Sequence, residues 1–256
     1  MKIIACIKQV PDSEAKVKAE NGQVTYGDAP LVINPFDEYA VEGALQQKEA
    51  SGGTVTALCV GPESAKEALK HALAMGADEA ILVSDAALEN VDSLGAARVL
   101  AAAILKIGDA DMVMFGRQTL DNGAGVTAPQ TARVLGWPML GLAGQIKVEG
   151  GSVIVERVLE EGRQIVKANL PAALSVVQSI GEPRYPSFMG IRKAAKAAIP
   201  VWSLADLAMA APAALVTRAA TMNPPARETV CEFITGESPE AIAETLAEKI
   251  LAEKVL

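Results

Sequence analysis

Short apolar runs alternate along the first half of the chain with longer segments in which apolar residues recur every three or four positions. The runs, at residues 3–7, 54–60, 80–83 and 112–115, lack polar alternation. Such runs are typical of strands that are buried on both faces of a parallel sheet. The periodic segments between them predict amphipathic helices at residues 37–50, 64–75 and 93–107. Gly76 and Gly108 stand where the last two of these helices should end.

Strand and helix alternating at this spacing predict an α/β domain with a mostly parallel, doubly wound sheet, which is a Rossmann-like fold. The pattern changes near residue 143, where residues 145–148, 153–158 and 163–169 are separated by turns rich in glycine and glutamate. These segments predict an antiparallel meander at one edge of the sheet, followed by a further buried strand at 170–177.

The last part of the chain has few apolar anchors. A basic, alanine-rich helix is predicted at 190–198, and Ser238 and Pro239 introduce a helix predicted at 240–255. We therefore expect a nucleotide-binding domain at residues 1–200, and a C-terminal arm at 201–256 that packs on a partner subunit.

Composition narrows the classes of function. Hydrophobic residues make up 50% of the chain and the formal net charge is −8, which disfavours nucleic acid as a partner. No apolar run reaches the roughly 18 residues of a membrane span, and the start of the chain is typical of a strand rather than a signal segment. These features favour a cytoplasmic protein.

Cysteine and histidine usage limits the possible chemistry. Cys6, Cys59 and Cys231 are far apart, which indicates reduced thiols and no zinc site. A single histidine nearly excludes a Ser–His–Asp triad or a metal site built on several histidines.

The candidate binding site lies where the carboxyl ends of the predicted strands should converge. The segments expected there are residues 6–8, 60–62, 34–37 and 116–125. Gly123 and Gly125 would let backbone amides approach a phosphate at the start of a helix predicted at 126–135. A turn that merely enters this helix explains the glycines equally well, and Asp37 is typical of a helix cap.

A second candidate site combines cationic and apolar side chains. Arg184, Arg192, Lys193 and Lys196 adjoin Tyr185, Phe188 and Met189 in the sequence. This mixture suits transient docking on an acidic partner, although a solvated helix face would also explain the charges.

Several segments, in this order, resemble the β subunit of electron transfer flavoproteins, including the nitrogen-fixation and bifurcating types. The most family-like are residues 4–12 (Ile-Ala-Cys-Ile-Lys-Gln-Val-Pro-Asp), 33–37 (Ile-Asn-Pro-Phe-Asp), 73–80, 116–121 (Gly-Arg-Gln-Thr-Leu-Asp), 170–172 and 183–185 (Pro-Arg-Tyr). The resemblance implies a heterodimer with an α subunit that carries most of the FAD site. It also implies a second nucleotide in the β subunit, which is AMP in shuttle members and FAD in bifurcating members.

Carried over by position, the resemblance assigns nucleotide contacts to Cys6, Asn34, Pro35, Phe36, Asp37, Val60, Asp121, Asn122, Gly123, Ala124, Gly125, Val126 and Thr127. It assigns partner docking to Arg184, Tyr185, Phe188, Met189, Lys193 and Lys196, with Phe188 as the inserted anchor. The chain departs from the family at Ala124 and Val126, where threonine and glutamine are common.

The expected function is therefore electron transfer between a dehydrogenase and a quinone reductase or ferredoxin-type acceptor. In this reading the chain is an electron carrier subunit rather than a stand-alone enzyme, and it supplies no catalytic residue or metal site. A bifurcating β subunit with its own FAD is one alternative. An adenine-nucleotide hydrolase or transferase is an alternative from another class.

Overall fold

The computed structural model describes residues 1–226 and 231–254. The strands are β1 (Lys2–Ile7), β2 (Gln9–Pro11), β3 (Lys18–Glu20), β4 (Gln23–Thr25), β5 (Leu31–Ile33), β6 (Thr54–Val60), β7 (Glu79–Val83), β8 (Met112–Gly116), β9 (Met139–Glu149), β10 (Ser152–Leu159), β11 (Gly162–Asn169), β12 (Ala172–Val176) and β13 (Val201–Trp202). The helices are α1 (Pro35–Ser51), α2 (Lys66–Met75), α3 (Ser93–Ile107), α4 (Thr127–Leu135), α5 (Phe188–Lys196) and α6 (Pro239–Ala252).

Within the described residues, nine strands form one sheet in the order β11-β10-β9-β12-β8-β1-β6-β7-β13. The pairs from β9 through β12, β8, β1, β6 and β7 to β13 are parallel, whereas β9, β10 and β11 pair antiparallel. The predicted α/β class and the antiparallel edge are thus confirmed. After β1 the chain adds β6 and β7 on one side and then returns to place β8 on the other, so the strand order reverses between β1 and β8.

The central strands are buried on both faces, as their continuous apolar runs predict. Ile3 of β1 packs in a core on the face covered by α1 and α2, whereas the next residue, Ile4, packs in a second core with α3. Both side chains are fully buried. Successive residues of a strand point to opposite faces, so an apolar run without alternation fills two cores at once.

Helix ends follow the predicted signals at several positions. Gly76 ends α2 at φ +133° and Gly108 ends α3 at φ +69°, in conformations that side chains rarely adopt. Four very short strands, β2 to β5, form two small antiparallel sheets that the sequence analysis missed. Three-residue strands carry too little periodicity to be recognised.

The chain divides into two compact units, Met1–Thr221 and Met222–Leu256. In the larger unit, Val201 and Trp202 form β13 on the edge strand β7. In the smaller unit, the Ser238 hydroxyl caps α6 by accepting a hydrogen bond from the Ala241 N–H at 3.2 Å, as predicted. The predicted end of this helix at residue 255 lies outside the described residues.

The exposed residues of α6 are consistent with an arm that needs a partner. None of its side chains is buried, and Leu251 is 66% exposed. The packing of residues 201–256 on a partner subunit stays a prediction. Among the residues that the structure describes, no helix is both long enough and apolar enough to cross a bilayer.

Candidate functional site

A cavity of about 850 Å³ lies at the carboxyl ends of four neighbouring parallel strands. Gly116 contributes from β8, Cys6 from β1 and Val60 from β6, and Ser84 lies just beyond β7. The cavity therefore crosses the point between β1 and β8 where the strand order reverses. Open α/β sheets bind their ligands at this position.

Asp37 joins the three elements that meet at this point. Its Oδ2 accepts a hydrogen bond from the Lys8 N–H at 2.8 Å, and its Oδ1 accepts one from the Gly116 N–H at 3.2 Å. A Cβ atom at Gly116 would stand 2.5 Å from Asp37 Oδ1 and 2.6 Å from the Phe36 carbonyl oxygen, so only glycine fits there. The first turn of α1 is thereby fixed to the ends of β1 and β8.

The expectation that Asp37 caps the helix is wrong. Helix α1 begins at Pro35, which places Asn34 at the N-cap and Asp37 within the first turn. The Asn34 side chain makes no cap either: its Nδ2 donates to the Gln118 carbonyl at 2.9 Å, and its Oδ1 accepts from the Leu120 N–H at 3.1 Å. Asn34 thus holds the loop that follows β8.

This loop, residues 117–126, is the glycine loop of the site. Lys8 forms an ion pair with Asp121 at 2.6 Å, which ties the loop to the end of β1. Gly123 and Gly125 have φ of +69° and +63°, and a Cβ atom at Gly125 would lie 3.2 Å from the Arg117 carbonyl oxygen. The loop then enters α4, whose first residue, Thr127, lines the cavity.

The structure brings together most of the predicted nucleotide contacts. The predicted residues that line the cavity are Cys6, Asp37, Val60, Asn122, Ala124, Gly125 and Thr127. Asn34 and Asp121 hold the glycine loop through the bonds described above, whereas Pro35 opens α1. Gly123 and Val126 are exposed in the loop. Phe36 lines a separate cavity of about 100 Å³, together with Tyr39, Arg117, Val176, Val177 and Gln178.

Sequence analysis missed the wall of the cavity beyond β7. Residues from Ser84 to Ala96 line it, including Asp85, Leu88, Glu89, Val91 and Asp92. The position of β7 could have indicated this wall. Strand β7 is parallel to β6, so its carboxyl end lies at the same edge of the sheet.

Acidic side chains are concentrated in the lining beyond β7. Asp85, Glu89 and Asp92 lie there, whereas Arg117, Asp37 and Lys8, which is paired with Asp121, lie on the side of the glycine loop. A helix N-terminus carries positive potential, so α4 adds positive potential on the side of the glycine loop. An anionic group on a ligand is favoured at the glycine loop and disfavoured beyond β7.

The two buried cysteines are not activated thiols. Burial raises the pKa of Cys59 to about 12 and, together with the nearby Asp37 carboxyl, raises the pKa of Cys6 well above its usual range. Both thiols therefore stay protonated near neutral pH. Their surroundings are those of small core residues, and both cysteines also border the cavity.

Asp37 should make the stability of the protein depend on pH. Burial raises its pKa from 3.8 to about 7, partly opposed by the N–H groups of Lys8 and Gly116, the Lys8 charge and the Asn34 side chain. The native state then binds the proton more tightly than the unfolded state does. Between about pH 4 and pH 7, this group therefore lowers the free energy of unfolding as the pH rises.

In Asp37→Asn this pH-dependent contribution to the free energy of unfolding is absent. The urea midpoints of the wild type and the variant should therefore converge or cross as the pH rises from about 4 to about 7. The variant also loses one acceptor for a backbone N–H. This loss lowers its free energy of unfolding by the same amount at every pH, so it does not change the pH dependence. Parallel curves for the two proteins would contradict the assignment.

Arg184, predicted to take part in partner docking, is bound within the chain. Its guanidinium donates to Glu42 at 2.8 Å and to Glu49 at 2.6 Å, and its backbone N–H also donates to Glu42 at 3.2 Å. These ion pairs lower the pKa of both carboxyls. Arg184 thus fastens the loop before α5 to α1, and its charge is compensated there.

The other predicted docking residues lie on an exposed face around α5. Tyr185, Phe188 and Met189 are 95%, 74% and 70% exposed. Lys193 and Lys196 lie in the last turn of the helix. The helix is set firmly on α2, because a Cβ atom at Gly190 would stand 2.3 Å from the Ala74 carbonyl oxygen. An apolar and cationic surface is therefore held on a rigid support.

Comparisons with known proteins find relatives of this chain. A family model described as the electron transfer flavoprotein domain matches residues 23–207. The caffeyl-CoA reductase–Etf complex subunit CarD of Acetobacterium woodii is 34% identical over 263 residues, which cover 100% of both chains. The electron transfer flavoprotein subunit beta of Megasphaera elsdenii is 35% identical over 272 residues, again covering 100% of both. Protein FixA of Azorhizobium caulinodans is 36% identical over 214 residues, 80% of this chain and 76% of that one.

Proposed function

This chain belongs to the electron transfer flavoprotein family, and from that premise we propose that it is the β subunit of a heterodimer and binds an adenine nucleotide in the large cavity. The observation that carries the proposal is the position of this cavity across the strand reversal between β1 and β8, with the glycine loop and the start of α4 on one side. The comparisons support the family, and the geometry supports a nucleotide.

The residues present fit a nucleotide. Phosphate oxygens would be held by backbone amides of residues 123–127, since Ala124 and Val126 offer neither a hydroxyl nor an amide side chain. Gly125 keeps the backbone open at this point, and Arg117 supplies positive charge, since the charge of Lys8 is already paired with Asp121. The apolar wall formed by Leu88, Val91 and the residues near them would receive the base.

The chain's own part in electron transfer is to bind and orient. When bound, a flavin supplies the redox chemistry of the complex, and in this proposal most of the FAD site lies on the α subunit. The protonated thiols of Cys6 and Cys59 offer no nucleophile near neutral pH. In the described residues, no group of three or more His, Cys, Asp or Glu side chains is placed to hold a metal ion.

A second candidate is a β subunit that holds its own FAD in place of AMP, as in the bifurcating members of the family. The extent of the cavity favours FAD, because the cavity continues past β6 to the wall beyond β7. Its volume of about 850 Å³ lies near the upper end of the roughly 300–1,000 Å³ of ligand pockets, which is more than a mononucleotide needs.

Partners follow from the same proposal. The α subunit would receive the C-terminal arm, and the surface around α5 would dock on a dehydrogenase that donates electrons. A quinone reductase or a ferredoxin-type protein would accept them. The exposed apolar side chains of α5, flanked by Lys193 and Lys196, are suited to a short-lived complex with an acidic partner.

The test is to co-purify the chain with its α subunit, denature the complex and count the flavin and AMP released per heterodimer. AMP together with a single flavin would support the shuttle, and a second flavin without AMP would support the FAD-binding alternative. A complex that holds no nucleotide beyond the flavin of the α subunit, and takes up neither AMP nor FAD, would overturn the proposed site. Turnover of AMP, ADP or ATP would instead favour a hydrolase or transferase.

A further inference from the structure

Two carboxylates at the acidic end of the cavity each bind two different parts of the chain. One oxygen of Asp85 accepts from the Ala87 N–H at 3.0 Å, within the short helical turn Ala86–Leu88. Its other oxygen accepts from the Leu204 N–H at 3.2 Å. Asp85 thus bonds both to its own turn and to a segment more than a hundred residues away.

Asp92 repeats this arrangement at the start of α3. Its Oδ1 accepts from the Gly95 N–H at 2.7 Å and caps the helix. Its Oδ2 accepts from the N–H groups of Leu215 and Val216, at 2.7 and 3.1 Å. These bonds lower the pKa of Asp92, so the carboxylate remains charged near neutral pH.

The distant partners belong to one segment, residues 203–216, which we call the strap. Leu204 is buried in the core beside α3, and Lys106 donates to the Asp206 carbonyl. The Lys106 ammonium also lies 4.8 Å from the centre of the Trp202 ring, just before the strap. The strap is therefore attached at both of its ends, through Leu204 and through the amides of Leu215 and Val216.

The segment that carries both carboxylates, residues 84–96, is the wall of the cavity beyond β7. Its inner side lines the cavity through Leu88, Val91 and Ala96. Its outer side meets the strap, since a Cβ atom at Gly95 would lie 2.3 Å from Val91 and 3.4 Å from Pro212. A short helical turn and a helix end build this wall, and the side chains of Asp85 and Asp92 bond it both to itself and to the strap.

We propose that Asp85 and Asp92 couple the binding of a nucleotide in the cavity to the docking of the strap, an inference that rests on the proposed nucleotide site. A ligand that packs on Leu88 and Val91 stabilises the wall, and that same wall conformation presents the carboxylate oxygens to the strap. Because both partners select one conformation, each strengthens the other by an equal factor. Asp85 and Asp92 are positioning residues, which act on the ligand through the wall.

The test uses the full chain in complex with its α subunit, freed of exchangeable nucleotide and titrated with AMP and with FAD. In Asp92→Asn the amide oxygen can still cap α3, but the amide nitrogen cannot accept from Leu215 or Val216. Leu215→Pro breaks the same contact from the other side by removing an N–H donor. Asp28→Asn and Ala213→Pro are the matched controls, since Asp28 is exposed outside the wall and Ala213 lies outside the bonds to Asp92.

We expect Asp92→Asn and Leu215→Pro each to weaken nucleotide binding about tenfold, within the roughly 5- to 150-fold range of couplings between sites. The double variant should bind no more weakly than Asp92→Asn alone, because Asp92→Asn already removes the bond that Leu215→Pro breaks. In hydrogen exchange, nucleotide should protect the strap in the wild type but not in Asp92→Asn, and both controls should behave as the wild type.

Failure of this inference differs from failure of the proposed function. If the wild type binds nucleotide but the variants bind it equally well, or if nucleotide leaves strap exchange unchanged, the coupling is overturned and the site stands. If the wild type binds neither AMP nor FAD, the site and the coupling both fall. Additive losses in the double variant would also count against a shared contact.

Discussion

Replacing Gly125 by valine is expected to abolish nucleotide binding while leaving the chain folded. Gly125 has φ +63°, a conformation that a β-branched residue strongly resists. A Cβ atom there would lie 3.2 Å from the Arg117 carbonyl oxygen, so the loop would have to move. The amides of residues 123–127 would then lose the arrangement that presents them to a phosphate.

The measurement is calorimetry with AMP and with FAD, together with the nucleotide released when the purified complex is denatured. Gly136→Val is the matched control, because Gly136 also has a positive φ, +71°, but ends α4 with open space around it. That control should lose stability from backbone strain and keep its nucleotide. Full nucleotide occupancy in Gly125→Val would show that the phosphate is held elsewhere.

The sheet and its main helices could be predicted because burial leaves a strong local signal. The runs that became β1, β6, β7 and β8 are apolar without alternation, since their side chains fill the cores on both faces of the sheet. The short strands β2 to β5 left no such signal. Strands β2 and β5 are held by pairing with distant residues, as between Gln9 and Ile33, which no local pattern records. Strands β3 and β4 form a local hairpin, but each has only three residues.

The candidate site was predictable in position and only partly in detail. Glycines after a buried strand, together with the resemblance, located the loop of residues 117–126. The roles of Asn34 and Asp37 were not predictable, because both side chains bind backbone groups that are distant in sequence, on Gln118 and on Gly116. The same holds for Asp92, whose capping role is local but whose bond to Leu215 spans more than a hundred residues.

Truncating Phe188 to alanine is expected to weaken docking of the electron-donating dehydrogenase at least about thirtyfold, which corresponds to roughly 2 kcal/mol for a central aromatic anchor. Phe188 is 74% exposed at the first position of α5, with the Arg192 guanidinium 6.0 Å from its ring centre. Its backbone is fixed, because Ser187 caps the helix and Gly190 packs on the carbonyl of Ala74. An aromatic side chain on a fixed backbone has few torsions to order on binding, and most of the loss should appear as faster dissociation.

Replacing Lys193 or Lys196 by glutamate should weaken docking in a different way, by slowing association. These charges lie at the edge of the surface, where they act on the encounter rather than on the docked complex. Association should slow at low salt, and the deficit should shrink as salt screens the field. Arg184 should not behave as a steering charge, because Glu42 and Glu49 already compensate it.

Stopped-flow electron transfer from the cognate dehydrogenase, at several salt concentrations and subsaturating partner, separates the two effects. Ile165→Ala is the control, since Ile165 is 73% exposed on β11, in a different part of the fold. The flavin spectrum should be unchanged in every variant, because the substituted residues line no part of the large cavity and, in the proposed function, dock the dehydrogenase rather than hold the flavin. A wild-type rate in Phe188→Ala would remove Phe188 as the anchor. Partner docking would then use another surface, and the exposed face of α5 would be an ordinary solvated one.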